Sequence, residues 1–375
     1  MRPEIVILRH TPIDVDFEMY GRFAQLWESK VTVCADTSFS EERIRCGYRE
    51  SSPYFETIFV DKNGINIEKY ICEHKDAIFI IYGIDRAESL WDILNKNAIC
   101  FGIISERDNS LVSKDLKTTV RRELAFLRRM RHRNVAQSAK FFWTMGQMGV
   151  DCFKKQYGIR EQILYDFMYC DGNPYQGVRK YESGNPVRMV YIGRFDYLIK
   201  GLDILLDAIK NVTGKYELDL VGGYGNNRED VLERIKEMPN VKFLGAWPNQ
   251  EIAKRLTAYD LIIVPSNLDG WNLHCNIAIK AGIGVISTDQ AVSDELVTAC
   301  KNGLVVPAGN RMEMKKAIQT VLDHPEILNR WKANTVPYEK RISDETVAQY
   351  LVDALDYSVL GIGKQKPKCP WVNAE

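Results

Sequence analysis

Three polar side chains stand where chemistry on a phosphate or a sugar is feasible: Arg194, Lys200 and Asp269. Arg194 and Lys200 lie in YIGRFDYLIKGLD, directly after an apolar run that ends at Gly193 and reads as a strand. Two cations at the carboxyl end of a strand suit a diphosphate, with the arginine fork able to engage two oxygens at once. A solvated loop with an incidental Arg and Lys has the same spacing, and the pair alone does not decide. Asp269 is the only carboxylate in the stretch PSNLDGWNLHCNIAIKAGIGVIS, residues 265–287, where a strand ends in a turn and an apolar helix follows. It either meets a ligand hydroxyl or caps that helix. Amides after Gly270 would face the same crevice, because helix N-termini offer free N–H groups and a positive partial charge. Gly222, Gly223 and Gly225 in LVGGYGNNRED form a turn that lets backbone approach a ligand, or that serves the turn alone.

These residues need a scaffold of strands ending on one edge. Apolar runs at 5–9, 31–35, 57–61, 77–83, 98–104, 141–146 and 163–169 read as strands covered on both faces, hence a parallel sheet with crossover helices. A loop rich in Gly, Pro, Asn and Ser, residues 170–186, marks a domain boundary. The alternation then restarts, with strands at 187–193, 216–223, 241–245, 261–266, 284–287 and 303–307. Helices fit the intervals 201–211, 228–238, 249–259 and 311–322, and Ser343 starts a last one through Asp356. The expectation is an α/β protein of two doubly wound domains, 1–175 and 176–342, with residues 343–358 returning to the first and an irregular tail.

At 375 residues two cores are expected. Lys plus Arg and Asp plus Glu both total 50, so no global charge draws the chain to nucleic acid or membrane. Nine cysteines without a CxxC pair read as buried free thiols of a reducing compartment. No run approaches the ~20 apolar residues of a membrane span. A cytoplasmic protein, soluble or peripherally attached to the membrane face, is expected.

YIGRFDYLIKGLDILLDAI, DLVGGYG, VKFLGAW, YDLIIVPSNLDGWN and NGLVVPAGN occur in the order and spacing of glycosyltransferase family 4, which this chain resembles over about residues 187–322. The first half is similar only through FFWTMGQMGVDCFKKQYGIREQIL, which resembles the closing segment of the family's N-terminal domain. The resemblance implies a retaining, metal-independent enzyme of the GT-B fold, with two Rossmann-like domains facing across a cleft, no cofactor and no metal. It implies a nucleotide-sugar donor (UDP- or GDP-sugar) and a hydroxyl of a glycan or lipid-linked acceptor, as in polysaccharide or cell-envelope synthesis. By position, Arg194 and Lys200 would neutralise the departing diphosphate. Asp269 would take the place of the first Glu of the E-x7-E motif and contact the sugar. Gly245, Ala246 and Trp247 would line the nucleobase pocket. Gly193, Gly223, Ser266, Gly270 and the amides of Trp271, Asn272 and Leu273 would bound the donor site.

The motif's second Glu, which holds the nucleotide ribose, is replaced by Ile277; a Pro of the next turn is Gly284, and a later Gly is Val292. Ile accepts no hydrogen bond, and an unpaired hydroxyl costs about 1–3 kcal/mol. Asn276 or His274 is a candidate replacement. Otherwise the chain is a GT-B-fold binding or scaffold protein without transferase activity.

Three other features carry weaker signals. RHTPID at Arg9 and His10 resembles the nucleophile motif of histidine phosphatases. Those enzymes need a second His before a Gly, which His74, His132, His274 and His324 do not supply, so that reading fails. Glu106 follows a strand and either orients the acceptor hydroxyl or is an ordinary helix-start acid. The basic run 114–140 places Leu116, Val120, Leu124, Leu127 and Met130 on a helical stripe among arginines. It reads as a helix on anionic lipid or as a core-packed helix with a solvated basic face; nucleic acid is disfavoured for want of stacking aromatics.

Overall fold

The computed structural model describes residues 2–12, 16–39, 41, 44, 49–107, 119–172 and 180–372, the side chains of 119–126 and 250 excepted. The chain divides into two compact units, one of Met1–Gly172 with Ser343–Asn373 and one of Asn173–Ile342.

In the first unit the apolar runs form β1 (Ile5–Arg9), β2 (Val31–Ala35), β3 (Glu56–Phe59), β4 (Ile78–Tyr82), β5 (Cys100–Ser105), β6 (Phe142–Met145) and β7 (Leu164–Phe167). They pair in the order β3-β2-β1-β4-β5-β6-β7, and every pairing is parallel. IVILR and VTVCA are buried at each position, as strands with helices on both faces must be. The helix Asp344–Leu355, capped by Ser343 on the Thr346 amide, packs in this unit against the helix Phe17–Trp27.

The second unit holds β8 (Val187–Gly193), β9 (Tyr216–Gly222), β10 (Val241–Gly245), β11 (Leu261–Val264), β12 (Gly284–Thr288) and β13 (Gly303–Val306). Their order is β10-β9-β8-β11-β12-β13, again all parallel. One apolar cluster around Met189, Leu205, Leu218 and Ile318 and another around Val190, Leu256, Ile262 and Ile277 make its core.

Each strand order reverses once, between β1 and β4 and between β8 and β11. Connections leave such a point in opposite directions and open a crevice beyond the strands' carboxyl ends. That is where the chemistry-bearing residues of the second unit sit.

The structure differs from the sequence expectation at several elements. The third strand ends at Phe59, and Val60–Asn63 turns into a short helix closed by Gly64 at φ +60. A helix at Ile327–Glu339 has no counterpart in the expectation; Leu328 and Trp331 anchor it in the core, and Pro337 falls in its last turn. The tail after Gly361 lacks regular structure but is held. Trp371 is fully buried against Tyr350, and Lys366 donates to the carbonyl of Glu161 at 2.6 Å.

On the basic helix, described over Thr119–Ser138, His132, Val135 and Ala136 are buried while Leu127 and Met130 are exposed. The buried face is therefore not the stripe expected from Leu127 and Met130. Leu116 and the side chains of Val120, Leu124, Arg121 and Arg122 lie outside the described residues. Among the described residues, no helix is long and apolar enough to cross a membrane, and the eight cysteines are free thiols.

Candidate functional site

The site in the second unit forms where the loop after β8 meets the loop after β11. Asp196 caps the short helix Tyr197–Lys200 through the Ile199 amide. The next residue, Gly201, has φ +61, and a Cβ there would lie 2.0 Å from the Pro265 carbonyl oxygen. Only glycine permits that approach. Asn267 stitches the two loops: its amide donates to Ile199 O at 2.9 Å and its Nδ2 to Tyr197 O at 3.0 Å. Lys200 is thereby carried to Asp269, with Nζ 2.7 Å from Oδ2. Sequence reasoning passed over both Gly201 and Asn267. The signal available was a lone Gly after a basic residue and an Asn at a strand end, each common in turns.

Asp269 does not cap the helix His274–Ala281, whose N-cap is Leu273. Its Oδ2 instead accepts from Lys200 Nζ, from Ser266 Oγ at 3.0 Å and from Asn272 Nδ2 at 2.9 Å. All three donors use one oxygen. Among the described residues Oδ1 receives no hydrogen bond, so its acceptor capacity is unused.

Arg194 is half-buried just beyond β8. Its carbonyl accepts from Tyr191 Oη at 2.6 Å, which fixes the backbone, yet its guanidinium has no hydrogen-bond or ion-pair partner among the described residues. Idle donors on a half-buried guanidinium suit an anion. The glycine-rich turn is equally constrained. Gly222 has φ +122, and a Cβ on it would sit 2.0 Å from the Gly193 carbonyl oxygen. Gly223 approaches the Phe243 ring in the same way.

The turn 270–273 departs from expectation in one respect. The Asn272 amide donates to Ala291 O at 3.1 Å and is not available to a ligand, whereas the Trp271 and Leu273 amides have no acceptor among the described residues. Trp271 is buried, its Nε1 donating to Asn276 Oδ1 at 3.0 Å. Asn276 is fully buried, which removes it as a replacement for a ribose-binding carboxylate. Ile277 is 3% exposed and belongs to the core.

His274 remains at the rim. Asn272 Nδ2 donates to Asp269, so Asn272 Oδ1 must accept, and His274 Nδ1 donates to it at 2.9 Å. The tautomer is thereby set, leaving Nε2 as an acceptor. Desolvation and then Lys200 push His274 down to about 4, against the pull of Asp269, so the ring is neutral near pH 7.

Of the remaining expected donor-site residues, Gly245 has φ +73 and Ala246 is exposed. Trp247 is buried against Tyr259, with the Arg255 guanidinium 5.3 Å from its ring centre, beside a shallow groove also lined by Leu244 and Lys254. Glu106 belongs to the first unit, exposed at the carboxyl end of β5, and accepts from Tyr169 Oη at 3.5 Å. At the crevice of that unit Arg9 is buried, 3.0 Å from Asp16 and stacked 3.7 Å from the Tyr82 ring, while His10 is 80% exposed beside Asp36.

Two Rossmann-like units, each a parallel doubly wound sheet with its switch-point crevice, define a protein of the GT-B fold. Residues 186–324 match the model of the family described as Glycosyl transferases group 1, and the second unit carries that family's domain. An uncharacterized glycosyltransferase of Methanocaldococcus jannaschii is 25% identical over 174 residues, 46% of this chain and 49% of that protein. A phosphatidyl-myo-inositol mannosyltransferase of Mycobacterium leprae is 22% identical over 214 residues, 56% of this chain and 54% of that protein. These alignments span about half the length of the curated relatives. Among solved structures, Anabaena HepE in complex with UDP-glucose superposes at a TM-score of 0.70 and 15% identity, covering 94% of this chain and 99% of that one.

Proposed function

We propose that the protein transfers a sugar from a nucleoside-diphosphate donor to a hydroxyl acceptor, and that the donor's diphosphate lies at the β8/β11 crevice. The observation that carries this reading is the Arg194 guanidinium after β8, without a partner among the described residues, six residues before the Lys200 that Asp269 holds. As the sugar–phosphate bond breaks, negative charge grows on the departing diphosphate, and the two cations stabilise it more than they stabilise the bound donor. Asp269 Oδ1 accepts from a sugar hydroxyl, and the Trp271 and Leu273 amides donate to sugar or phosphate. The acceptor oxygen forms its bond to the anomeric carbon on the face from which the phosphate leaves, the phosphate takes the acceptor's proton, and this same-face replacement gives retention. In this reading the first unit, where Glu106 stands, holds the acceptor. The acceptor is a glycan or lipid-linked hydroxyl, in keeping with the mannosyltransferase relative, and the donor a UDP- or GDP-sugar.

Calorimetry with UDP, GDP and their glucose, galactose and mannose conjugates tests the proposal. Binding of one diphosphate family, followed by transfer or slow hydrolysis of its sugar, is expected. A folded protein that binds none of them would favour a second reading, a binding or scaffold protein of this fold, for which the core position of Ile277 speaks.

A further inference from the structure

A separate cluster in the first unit has the chemistry of a metal site. His132, on the helix Thr119–Ser138, is 1% exposed, and its ring stacks at 18° on Tyr157 with 6.3 Å between centres. Nε2 lies 3.0 Å from Asp85 Oδ1 and 3.2 Å from Glu88 Oε2. Neither contact has hydrogen-bond geometry, and both ring nitrogens are buried without a hydrogen-bond partner. Such a group ordinarily finds a partner, and its exceptions call for an explanation. The two acids sit one turn apart on the helix Ile84–Ser89, so both carboxylates reach the same ring edge.

We propose that Asp85, Glu88 and His132 bind a divalent transition-metal cation, Zn²⁺ before others. Zinc takes imidazole nitrogen at ~2.0–2.1 Å and carboxylate oxygen at ~2.0–2.2 Å, which at tetrahedral angles sets neighbouring ligand atoms about 3.3–3.5 Å apart. The two nitrogen–oxygen distances, 3.0 and 3.2 Å, are a few tenths of an ångström shorter, and the carboxylates need only part slightly to admit the ion. All three ligand atoms lie within 4.8 Å of one another. An imidazole with two carboxylates offers one nitrogen and two oxygen ligands, and the nitrogen ligand favours Zn²⁺ over Mg²⁺ or Ca²⁺. Water completes the coordination on the exposed Asp85 side. Arg128 forks onto Asp85, 2.8 Å from Oδ1 and 2.7 Å from Oδ2, and Arg131 lies 3.8 Å from Glu88. Arg128 is half exposed; on metal binding it yields Oδ1 and keeps Oδ2, orienting the ligand from outside as supporting partners do. The ion joins the basic helix to the helix following β4 and takes no part in sugar transfer.

The test is zinc titration of the full chain after chelator treatment, followed by calorimetry and by the visible spectrum of the Co²⁺ form. One site per chain is expected, with a ligand-field spectrum free of the near-ultraviolet bands of thiolate ligands. Glu88→Gln should weaken Zn²⁺ at least 10-fold and abolish the rise in Tm that zinc produces in the parent. Because His132 is buried, Asp85→Asn serves as the second variant, with the same expectation. Three results overturn the proposal: no zinc binding by the folded chain, binding unchanged in both variants, or thiolate bands, which would place the ion at a cysteine such as the exposed Cys72.

Discussion

Lys200 Nζ and Asp269 Oδ2 lie 2.7 Å apart across 69 residues of sequence, joining the loop after β8 to the loop after β11. The pair aims the lysine rather than neutralising it for good, because an ammonium has three donors and this carboxylate occupies one. Lys200→Ala is expected to weaken UDP or GDP binding at least ~10-fold, about 1.4 kcal/mol. Lys200→Arg should recover little, since a planar fork cannot take the geometry of a point charge. Calorimetry checks both, and full affinity in Lys200→Ala would detach the pair from donor binding.

Gly201 is the hinge on which that pairing depends. With φ +61 and the Pro265 carbonyl 2.0 Å from where a Cβ would stand, Gly201→Ala meets backbone on one side and left-handed strain on the other. A loss of more than about 2 kcal/mol is expected in urea unfolding, together with weaker donor binding. A change within experimental error would mean that the two loops are not locked together.

Val292 holds φ +66 although its side chain is β-branched and buried. Glycine normally costs about 0.5–1 kcal/mol relative to alanine inside an ordered element. Here the order should invert: Val292→Gly is expected to be more stable than Val292→Ala, because left-handed backbone costs a non-glycine residue ~1–2 kcal/mol. Both variants lose the buried valine, so their difference isolates the backbone. Urea midpoints at matched slopes read it directly, and an alanine variant more stable than the glycine one contradicts it.

His274 makes stability depend on pH in a defined direction. Its folded value is pushed down to about 4, below the ~6.5 of an unfolded histidine, so between these values the unfolded chain holds more protons. This residue's contribution is complete above about pH 6.5 and is lost as the pH falls toward about 4. Relative to His274→Gln, the parent should therefore lose stability on acidification through that window and run parallel to the variant above it. Asp16 and Asp166, both pushed up by burial, titrate alike in the two proteins and cancel. A constant difference from neutral to acid pH would show that His274 is not held neutral.

How much of this was legible beforehand follows from the range of the signals. The parallel strands were readable because runs such as IVILR and LIIV are apolar at consecutive positions and bounded by turn residues. The fold class and the positions of Arg194, Lys200 and Asp269 at strand ends come from the same local patterns. Whether Asp269 caps a helix was not readable, because the answer depends on that helix starting at His274 rather than directly after Gly270. Contacts between distant segments left no trace. Asn267 on the carbonyl of Tyr197 and His132 between Asp85 and Glu88 are separated by 44 to 70 residues and conform to no periodicity.

The central claim is that the partnerless Arg194 at the β8/β11 crevice receives the donor's diphosphate. The most direct measurement is calorimetric titration of the folded parent and of Arg194→Ala with UDP and GDP. One of the two nucleotides should bind the parent, with affinity falling at least ~10-fold in the variant while Tm stays unchanged, because this guanidinium has no partner among the described residues. Equal affinity in parent and variant, or no binding by either, would contradict the account.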